Sequence, residues 1–392
     1  MTFLSTLKQE AKRIFTDVTI VLTIIGGVIF YSFLYPQPYL KQSVSKLAIS
    51  VVDYDKSDVS RDIIFSLNAT AQILVAREDL SEEDAKKSLL SDEVKAIIVI
   101  PKNFKRDLAF NKSPTIAIGA DSSYFLIYGG VLEGAMKSIL TQSASIKVAN
   151  LLKKQVPLGM AKESYSAYSL NIINLFNKNN SYTQYVIPAI FVLILQQTLL
   201  IGLGIFGGGI NESIKNKEEG YFNTALILYM FSSRVIVFGS IFFIHLLFYF
   251  GYSFELFGVT HLANIYELLT FATPFLMATL GLGILLGTLF NSREVATPAI
   301  LFSSLPLAFS AGFIWPIEEV PEIIHFVSMF VPVIPAIDGF LALNQFGAEF
   351  YMVIDSYAIL WMQAISYFTL AYFFFRQKRK KITPINQVNM LK

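Results

Sequence analysis

The sequence has no cysteine and little charge for its length. Zero cysteines among 392 residues exclude disulfides, thiolate metal sites and cysteine nucleophiles. Charged residues make up only 15% of the chain and hydrophobic residues 54%, which lies outside the usual range of soluble domains. A net charge of +2 gives no polyelectrolyte surface, so we expect no nucleic-acid partner. The composition predicts a membrane protein.

Lysine and arginine are missing from most of the second half of the chain. Neither residue occurs at 235–292 or 294–375. Apart from Lys392, the basic residues of this half mark alternate ends of the apolar segments: Lys215, Lys217, Arg234, Arg293 and the tail RQKRKK. Because basic residues concentrate on the cytoplasmic side, both termini are predicted to face the cytoplasm. Segment 376–392 is then a basic cytoplasmic tail that anchors the topology.

Six apolar stretches approach the ~20 residues that cross about 30 Å of hydrocarbon. They are 18–35, 185–210, 235–254, 268–290, 295–317 and 356–375. We predict six transmembrane helices, the first at 18–36 and the others within 184–375. A shorter run within 316–345 contains Pro332 and Pro335 and predicts a re-entrant helix pair before the last span. The first stretch is read as an uncleaved anchor, with a signal peptide as the alternative.

The long polar segment 37–183 predicts an inserted extracytoplasmic α/β domain, because long translocated domains escape the charge rule. Strand patterns occur at 46–55, 71–78, 94–101 and 114–121. Helices capped by Ser57 and Ser81 separate the first three strands. From residue 123 the pattern is helical with a break at 157–159, which we interpret as a helical stalk.

No catalytic, cofactor or metal site is predicted in this chain. The acidic cluster Asp53, Asp55, Asp58 and Asp62 lacks the spacing and the glycine of a calcium loop, which favours a solvated turn. The three histidines, His245, His261 and His325, lie in separate segments. The chain contains no nucleophile elbow, zinc-helix motif or dinucleotide fingerprint.

Two glycine-rich stretches, GLGIFGGGI at 202–210 and GLGILLG at 281–287, carry glycines four residues apart. That spacing lets membrane helices approach closely. A phosphate-binding loop is the alternative, but the lysine and hydroxyl residue of such a loop do not follow either stretch. The pattern therefore favours helix packing.

A short charged segment at 211–223 interrupts two apolar runs. Its polar residues and breaker are Asn211, Glu212, Lys215, Lys217, Glu218, Glu219 and Gly220. We predict a helix that begins at Asn211, presents Glu218 and Glu219 to a partner's arginines, and ends at Gly220. A solvated connector is the alternative. Segment 1–17, with apolar residues at helical spacing, predicts an amphipathic helix in the cytoplasmic membrane interface.

The ordered set of features resembles the membrane subunit of an ABC exporter of the type-2 permease family. NKEEGYFNTALI at 216–227 is similar to the family's Glu-Lys-Glu-x-Gly-Thr-type loop, with Tyr221 in place of Thr. SAGFIWPIEEVP at 310–321 is similar to its Ser-Gly-x-x-Phe-Pro-x-x-x-Met-Pro-type segment. Ala311, Trp315 and Val320 depart from that pattern.

The resemblance implies that 211–223 is a coupling helix that docks into a cytoplasmic ATPase subunit, through Asn211, Glu212, Lys217, Glu218, Glu219 and Gly220. ATP and Mg are expected on that subunit, because this chain has no G-x-x-x-x-G-K-[ST] sequence. It further implies a second permease chain, membrane lipids around the bundle, a bacterial inner-membrane location, and in some systems a periplasmic adaptor and outer-membrane channel.

Family members with a large outer insert export drugs, lipids or other amphipathic compounds, and this resemblance implies that substrate class. The substrate path is not assigned to residues. A membrane receptor or scaffold with a ligand-binding outer domain stays open as the alternative. An intramembrane enzyme or ion channel is disfavoured because it needs ionisable residues within the spans, where only His245 qualifies.

Overall fold

A computed structural model describes residues 1–39, 45–110, 112–122, 125–163, 176–177, 181–184 and 186–389. Contacts divide the chain into two compact units. Met1–Leu40 together with Asn174–Lys392 forms a helical unit, and Lys41–Ile173 forms an α/β unit. The division falls within ten residues of the domain borders predicted at 37 and 183. The location of the α/β unit on the extracytoplasmic side of the membrane stays a prediction.

The helical unit begins with an amphipathic helix. Its first elements are α1 Phe3–Thr16, α2 Val18–Val21, a π-helical stretch Leu22–Gly27, α3 Val28–Leu34 and a 3-10 turn Gln37–Tyr39. Thr2 caps α1 by accepting a hydrogen bond from the Ser5 amide, as helix N-caps do. Thr6, Glu10 and Ile14 form the buried face of α1. Leu4 and Phe15, two further apolar residues of α1, are exposed, which leaves them available to lipid.

The α/β unit confirms the four predicted strands and both predicted caps. Its elements are β1 Leu47–Asp53, α4 Asp58–Asn68, β2 Ile73–Glu78, α5 Glu82–Leu90, β3 Ala96–Ile100, α6 Phe104–Ala109, β4 Ala117–Ala120, α7 Phe125–Lys153 and α8 Leu158–Glu163. The sheet order is β2-β1-β3-β4. β1 pairs in parallel with β2 and β3, and β4 pairs antiparallel with β3. Ser57 and Ser81 accept hydrogen bonds from the backbone amides at the starts of α4 and α5.

Helix α7 is part of the packed α/β unit along its first half. Val131 and Ala135 are fully buried in the same core as Ile49 and Ile98 of the central strands. A helix that covers a sheet buries one apolar stripe against it. The first half of α7 thus covers the sheet, and the interpretation of the helices after residue 123 as a stalk stays a prediction. Much of the segment after α8, residues 164–175, lies outside the described residues.

The acidic cluster at the end of β1 forms a turn. Asp53 Oδ1 accepts hydrogen bonds from the Asp55 and Lys56 amides, and its Oδ2 accepts one from the Ser60 hydroxyl at 2.6 Å. Such side-chain bonds to the following backbone are what aspartate contributes to turns. Across the described residues, no group of three His, Cys, Asp or Glu side chains is arranged to hold a metal ion.

The remaining elements complete the helical unit. They are α9 Val186–Lys215, α10 Tyr221–Thr224, α11 Ile227–Leu247, a π-helical stretch Phe248–Ser253, α12 Phe254–Phe257, α13 Ile265–Leu289, α14 Ala296–Ser310, a 3-10 turn Ile317–Glu319, α15 Glu322–Ser328, α16 Val333–Gln345, a 3-10 turn Phe350–Val353 and α17 Ile354–Asn389. Helix α9 is central, because 94% of the residues in its most apolar stretch of 18 are buried.

Five helices of the described chain are long and apolar enough to span a membrane. They are Val18–Tyr39, Val186–Lys215, Ile227–Phe257, Ile265–Leu289 and Phe350–Arg379. The predicted span at 295–317 is not confirmed by length: α14 has 15 residues, or about 22 Å at 1.5 Å per residue, less than the hydrocarbon thickness of about 30 Å. The predicted helix pair before the last span is present as α15 and α16, which bend by 89° at their break. Its re-entrant path stays a prediction.

The glycine-rich stretches make a close helix contact, as predicted. A Cβ atom on Gly207 of α9 would lie 2.6 Å from the Gly287 backbone of α13. A Cβ on Gly283 would lie 2.5 Å from the Leu203 side chain. Only glycine lets the backbones of α9 and α13 approach this closely.

Candidate functional site

The charged segment after α9 forms a tight turn in place of the predicted helix. Helix α9 continues through Asn211 and Glu212 to Lys215, so the prediction that a helix begins at Asn211 is wrong. Lys217 adopts the left-handed conformation, and the Glu218 amide bonds to the Ser213 carbonyl, which is how a Schellman motif ends a helix. Gly220 does not end a helix. It has an extended backbone and precedes α10.

We call residues 216–220 the charged turn. The side chains of Lys217, Glu218 and Glu219 are exposed there, and none of the three is in an ion pair within the described part of the chain. The Asn223 side chain donates to the Glu218 carbonyl and closes the turn. A Cβ atom on Gly220 would lie 2.3 Å from the ring of Phe222, which is buried. The turn thus presents three uncompensated charges on a constrained backbone.

Asn211 points inward and joins α9 to the end of α13. Its Nδ2 donates to the carbonyls of Gly287 at 2.9 Å, Thr288 at 3.2 Å and Phe290 at 2.6 Å. The last carbonyls of a helix have no partner within the helix, so an outside donor satisfies them. Asn211 therefore fixes the base of the charged turn to α13.

We expect Asn211→Asp to loosen this end of the bundle. A carboxylate cannot donate a hydrogen bond, so buried carbonyls lose their partner at a cost of about 1–3 kcal/mol, more when a charge is buried. The expected result is a lower thermal unfolding temperature of the purified protein and faster proteolysis at 288–295. Glu212→Gln is the matched control, because the Glu212 side chain accepts from the Arg293 amide and a glutamine oxygen accepts equally well. Equal behaviour of the two variants would contradict the assigned role.

Arg293 connects the turn between α13 and α14 to the start of the first span. Its Nη2 lies 2.9 Å from Asp17 Oδ2. Asp17 Oδ1 also accepts from the Thr19 amide and so caps α2. The Arg293 amide also donates a hydrogen bond to Glu212 Oε1 at 3.3 Å. Arg293 therefore links α9 to α2, through its backbone on one side and its side chain on the other.

A buried ion pair joins α1 to α11, and sequence analysis missed it. Arg234 Nε and Nη2 donate to the two carboxylate oxygens of Glu10 at 3.1 and 3.2 Å. The side chains of Arg234 and Glu10 are only 2% and 0% exposed. Arg234 also lies over the rings of Phe206 and Phe231 at 5.1 and 5.7 Å. The only sequence signal was a single acid on a helix otherwise rich in basic residues.

Burial changes the pKa values of the acidic groups around this ion pair. Loss of hydration raises the pKa of Glu10 above its ordinary value, and the Arg234 guanidinium opposes that shift. Burial likewise raises the pKa of Tyr221, whose hydroxyl lies beside the Glu10 carboxylate. Tyr221 is the first residue of α10, so the ion pair borders the charged turn.

Two further basic residues contact the segment around the charged turn. Arg13 of α1 donates from Nη2 to the Gly209 carbonyl at 3.1 Å and the Ser213 hydroxyl at 3.2 Å. Arg379 of α17 donates to the carbonyls of Ala225 and Asn223. The basic tail therefore has a structural contact in addition to its predicted role as a topology anchor.

The exposed side chains of the charged turn have the chemistry of a protein-docking surface. Asn211 and Glu212 bind neighbouring backbone, whereas Lys217, Glu218 and Glu219 face outward. Exposed carboxylates and a lysine can pair with charged side chains of a partner protein. Because α1, α9, α13 and α17 all contact this region, a force on the charged turn acts on much of the helical unit.

Comparison with known proteins agrees with this architecture. A search of curated proteins gave no match. The family model described as ABC-2 family transporter protein matches residues 18–373. The matched region contains all five long apolar helices except the last residues of α17, and it also contains the α/β unit and the charged turn. The chain therefore belongs to the ABC-2 family of transporter proteins and is a multi-pass permease subunit of an ABC transporter.

Proposed function

We propose that this permease forms the membrane path of an ATP-driven exporter. The charged turn binds a separate cytoplasmic ATPase subunit and transmits the conformational change of that subunit to the permease. One observation carries the proposal: Glu218 and Glu219 are exposed, and in no ion pair with any residue that the structure describes, on a turn that ends the most buried of the five long apolar helices described. A docking surface placed there acts directly on α9. ATP and Mg would be bound by the ATPase subunit.

The contacts of the turn support a mechanical role. The Schellman end at Lys217 and the Asn211 bonds to α13 make the turn a rigid extension of two helices. Packed helices move as bodies between discrete arrangements. ATP-driven closure of paired ATPase subunits would therefore shift α9 and α13 together and change the side to which the central path opens.

The remaining features of the proposal follow from the distribution of charge and from the family resemblance. Both termini and the charged turn face the cytoplasm, because Lys and Arg recur at alternate ends of the apolar segments in the sequence. The family resemblance favours a bacterial inner membrane. A second permease chain, identical or related, completes the path. The transported compounds are amphipathic, of drug or lipid class, and move outward. A periplasmic adaptor and outer-membrane channel would extend the route.

Reversing the two exposed charges tests the proposal. We expect Glu218→Lys with Glu219→Lys to reduce recovery of the ATPase subunit with the purified permease by at least about tenfold, since charge reversal turns attraction into repulsion. Export of a fluorescent amphipathic compound should fall to the level of cells that lack the permease. The measurements are mass spectrometry of the gently purified complex and efflux from whole cells.

The chain offers a matched control for this experiment. Glu318 and Glu319 form a second exposed acidic pair, in a loop predicted to lie on the opposite side of the membrane. Glu318→Lys with Glu319→Lys should leave both readouts within about twofold of wild type, because exposed charges contribute little to folding. Normal export by the Glu218 and Glu219 double variant would remove the charged turn from the mechanism.

A further inference from the structure

The α/β unit contains an apolar cleft that its own core does not fill. The cleft has a volume of about 610 Å³ and is lined by residues of α4, α6, α7, β4 and the segment before β4. Ile63 and Phe104 on its wall belong to the buried core. Met136 and Leu140 on α7, which also line it, are 53% and 55% exposed. Small-molecule sites are apolar clefts of about 300–1,000 Å³.

Helix α7 lines the cleft with a single stripe that changes character along its length. Met136, Ile139 and Leu140 come first, followed by Ser143, Ile146, Lys147 and Asn150. These residues share one helix face at spacings of three and four. The stripe extends about 20 Å at 1.5 Å per residue. Its first part, in the middle of α7, is apolar, and its part towards the end of the helix carries the polar residues together with Ile146. A ligand that fits both parts has an apolar body and a polar end.

The charge of the cleft fixes the sign of that polar end. Lys112 and Lys147 line the cleft and are exposed, and no carboxylate is among the described residues that line it. Lys112 has only a 3.8 Å contact with Asp107. Lys147 is in no ion pair within the described residues, although other lysines of the unit, such as Lys105, are paired. Two weakly compensated lysines beside an apolar surface complement an anion.

We propose that this cleft binds an anionic amphiphile with a single alkyl chain, of the long-chain alkyl carboxylate class. The chain lies along Ile139, Leu140 and Phe104, and the carboxylate pairs with Lys147 and Lys112. Binding covers Met136 and Leu140, which the folded unit otherwise leaves in water. The inference concerns the α/β unit alone and does not depend on the direction of transport or on the charged turn.

Photolabelling of the full-length protein in lipid nanodiscs tests the site. The probe is palmitate with a diazirine in mid-chain, and the labelled positions are mapped by peptide mass spectrometry. We expect label on 104–118 and 136–150 that unlabelled palmitate displaces and uncharged hexadecanol displaces at least about tenfold less well, because only the carboxylate pairs with lysine. Label confined to the membrane helices, or equal displacement by hexadecanol, overturns the proposal.

Matched variants on one helix separate the cleft from general surface effects. Leu140→Glu should reduce labelling of 136–150 by at least about tenfold, because it places a charge on the apolar wall. Lys147→Glu should reduce it by about fivefold through repulsion of the carboxylate. Leu152 and Lys153 are also exposed on α7 but do not line the cleft. Leu152→Glu and Lys153→Glu should therefore leave the labelling of 136–150 unchanged.

A second copy of the chain is the other occupant to test. The sequence has no cysteine, so Leu140→Cys introduces a unique thiol. If oxidation of this variant in nanodiscs gives no disulfide-linked dimer and palmitate slows alkylation of the thiol, the ligand site is supported. A disulfide-linked dimer formed with or without palmitate would assign the cleft to an interface between copies and overturn the proposal.

Discussion

Gly207→Ala should sharply reduce the yield of folded permease, although alanine is the better helix former. A Cβ atom at this position would lie 2.6 Å from backbone atoms of Gly287, which cannot rotate away as a side chain can. The two helices must separate, and overpacking of this kind costs about 1–3 kcal/mol or more. The measurement is the monodisperse fraction after detergent extraction, together with the thermal unfolding temperature.

Gly209→Ala is the control two residues away on the same helix. Its Cβ would meet only the Arg13 Nη2 atom at 3.8 Å, an ordinary contact. Replacing glycine by alanine inside a helix is otherwise favourable by about 0.8–1.0 kcal/mol. We therefore expect the two substitutions to have opposite signs. A normal yield of Gly207→Ala would mean that α9 and α13 do not pack closely at this point.

Arg234→Met should destabilise the protein by about 3–5 kcal/mol, because it leaves Glu10 buried without its partner. Glu10 is fully buried and both of its carboxylate oxygens accept from Arg234. We expect α1 to detach from α11 and to become sensitive to protease at 1–17. Thermal unfolding and limited proteolysis of the purified protein measure the two effects.

Two comparisons isolate the cost of the unpaired charge. Glu10→Met combined with Arg234→Met should recover most of the lost stability, since apolar replacement of both partners of a buried pair is often neutral. Arg293→Met removes an ion pair in which the Arg293 side chain is 40% exposed and the Asp17 side chain 22%. It should lower the free energy of unfolding by no more than about 1 kcal/mol. A double variant as unstable as Arg234→Met would show that the pair itself stabilises the fold.

Much of the fold follows from local sequence patterns. The strands of the α/β unit were predicted because short apolar runs such as AIIVI at 96–100 are flanked by turn residues and capped helices. The long spans were predicted because uncharged runs of this length have few other stable environments. The short helix α14 was overestimated, since composition alone does not reveal that Ala311 ends the helix.

The candidate site was harder to predict because its contacts join residues far apart in the chain. Helical spacing placed the apolar residues of α1 but not the pairing of Glu10 with Arg234, which lie 224 positions apart. The end of α9 was misplaced because Lys217, not Gly220, adopts the left-handed conformation. Local propensity favours glycine at such a position, and the Schellman bonds override it here.

The central position of α9 has a consequence for how the protein is made. Synthesis proceeds from the N-terminus, so α9 emerges before α11, α13, α14 and α16, the helices that later surround it. Among the five long helices it is the most apolar, which allows it to enter lipid without them. Its buried Gln196 and Gln197 then meet hydrocarbon before α14 supplies Ser303 and Ser304 as partners of Gln197. The helix that ends up deepest in the bundle is therefore inserted before most of the helices that bury it, with only the first span, Val18–Tyr39, made earlier among the long helices of the described chain.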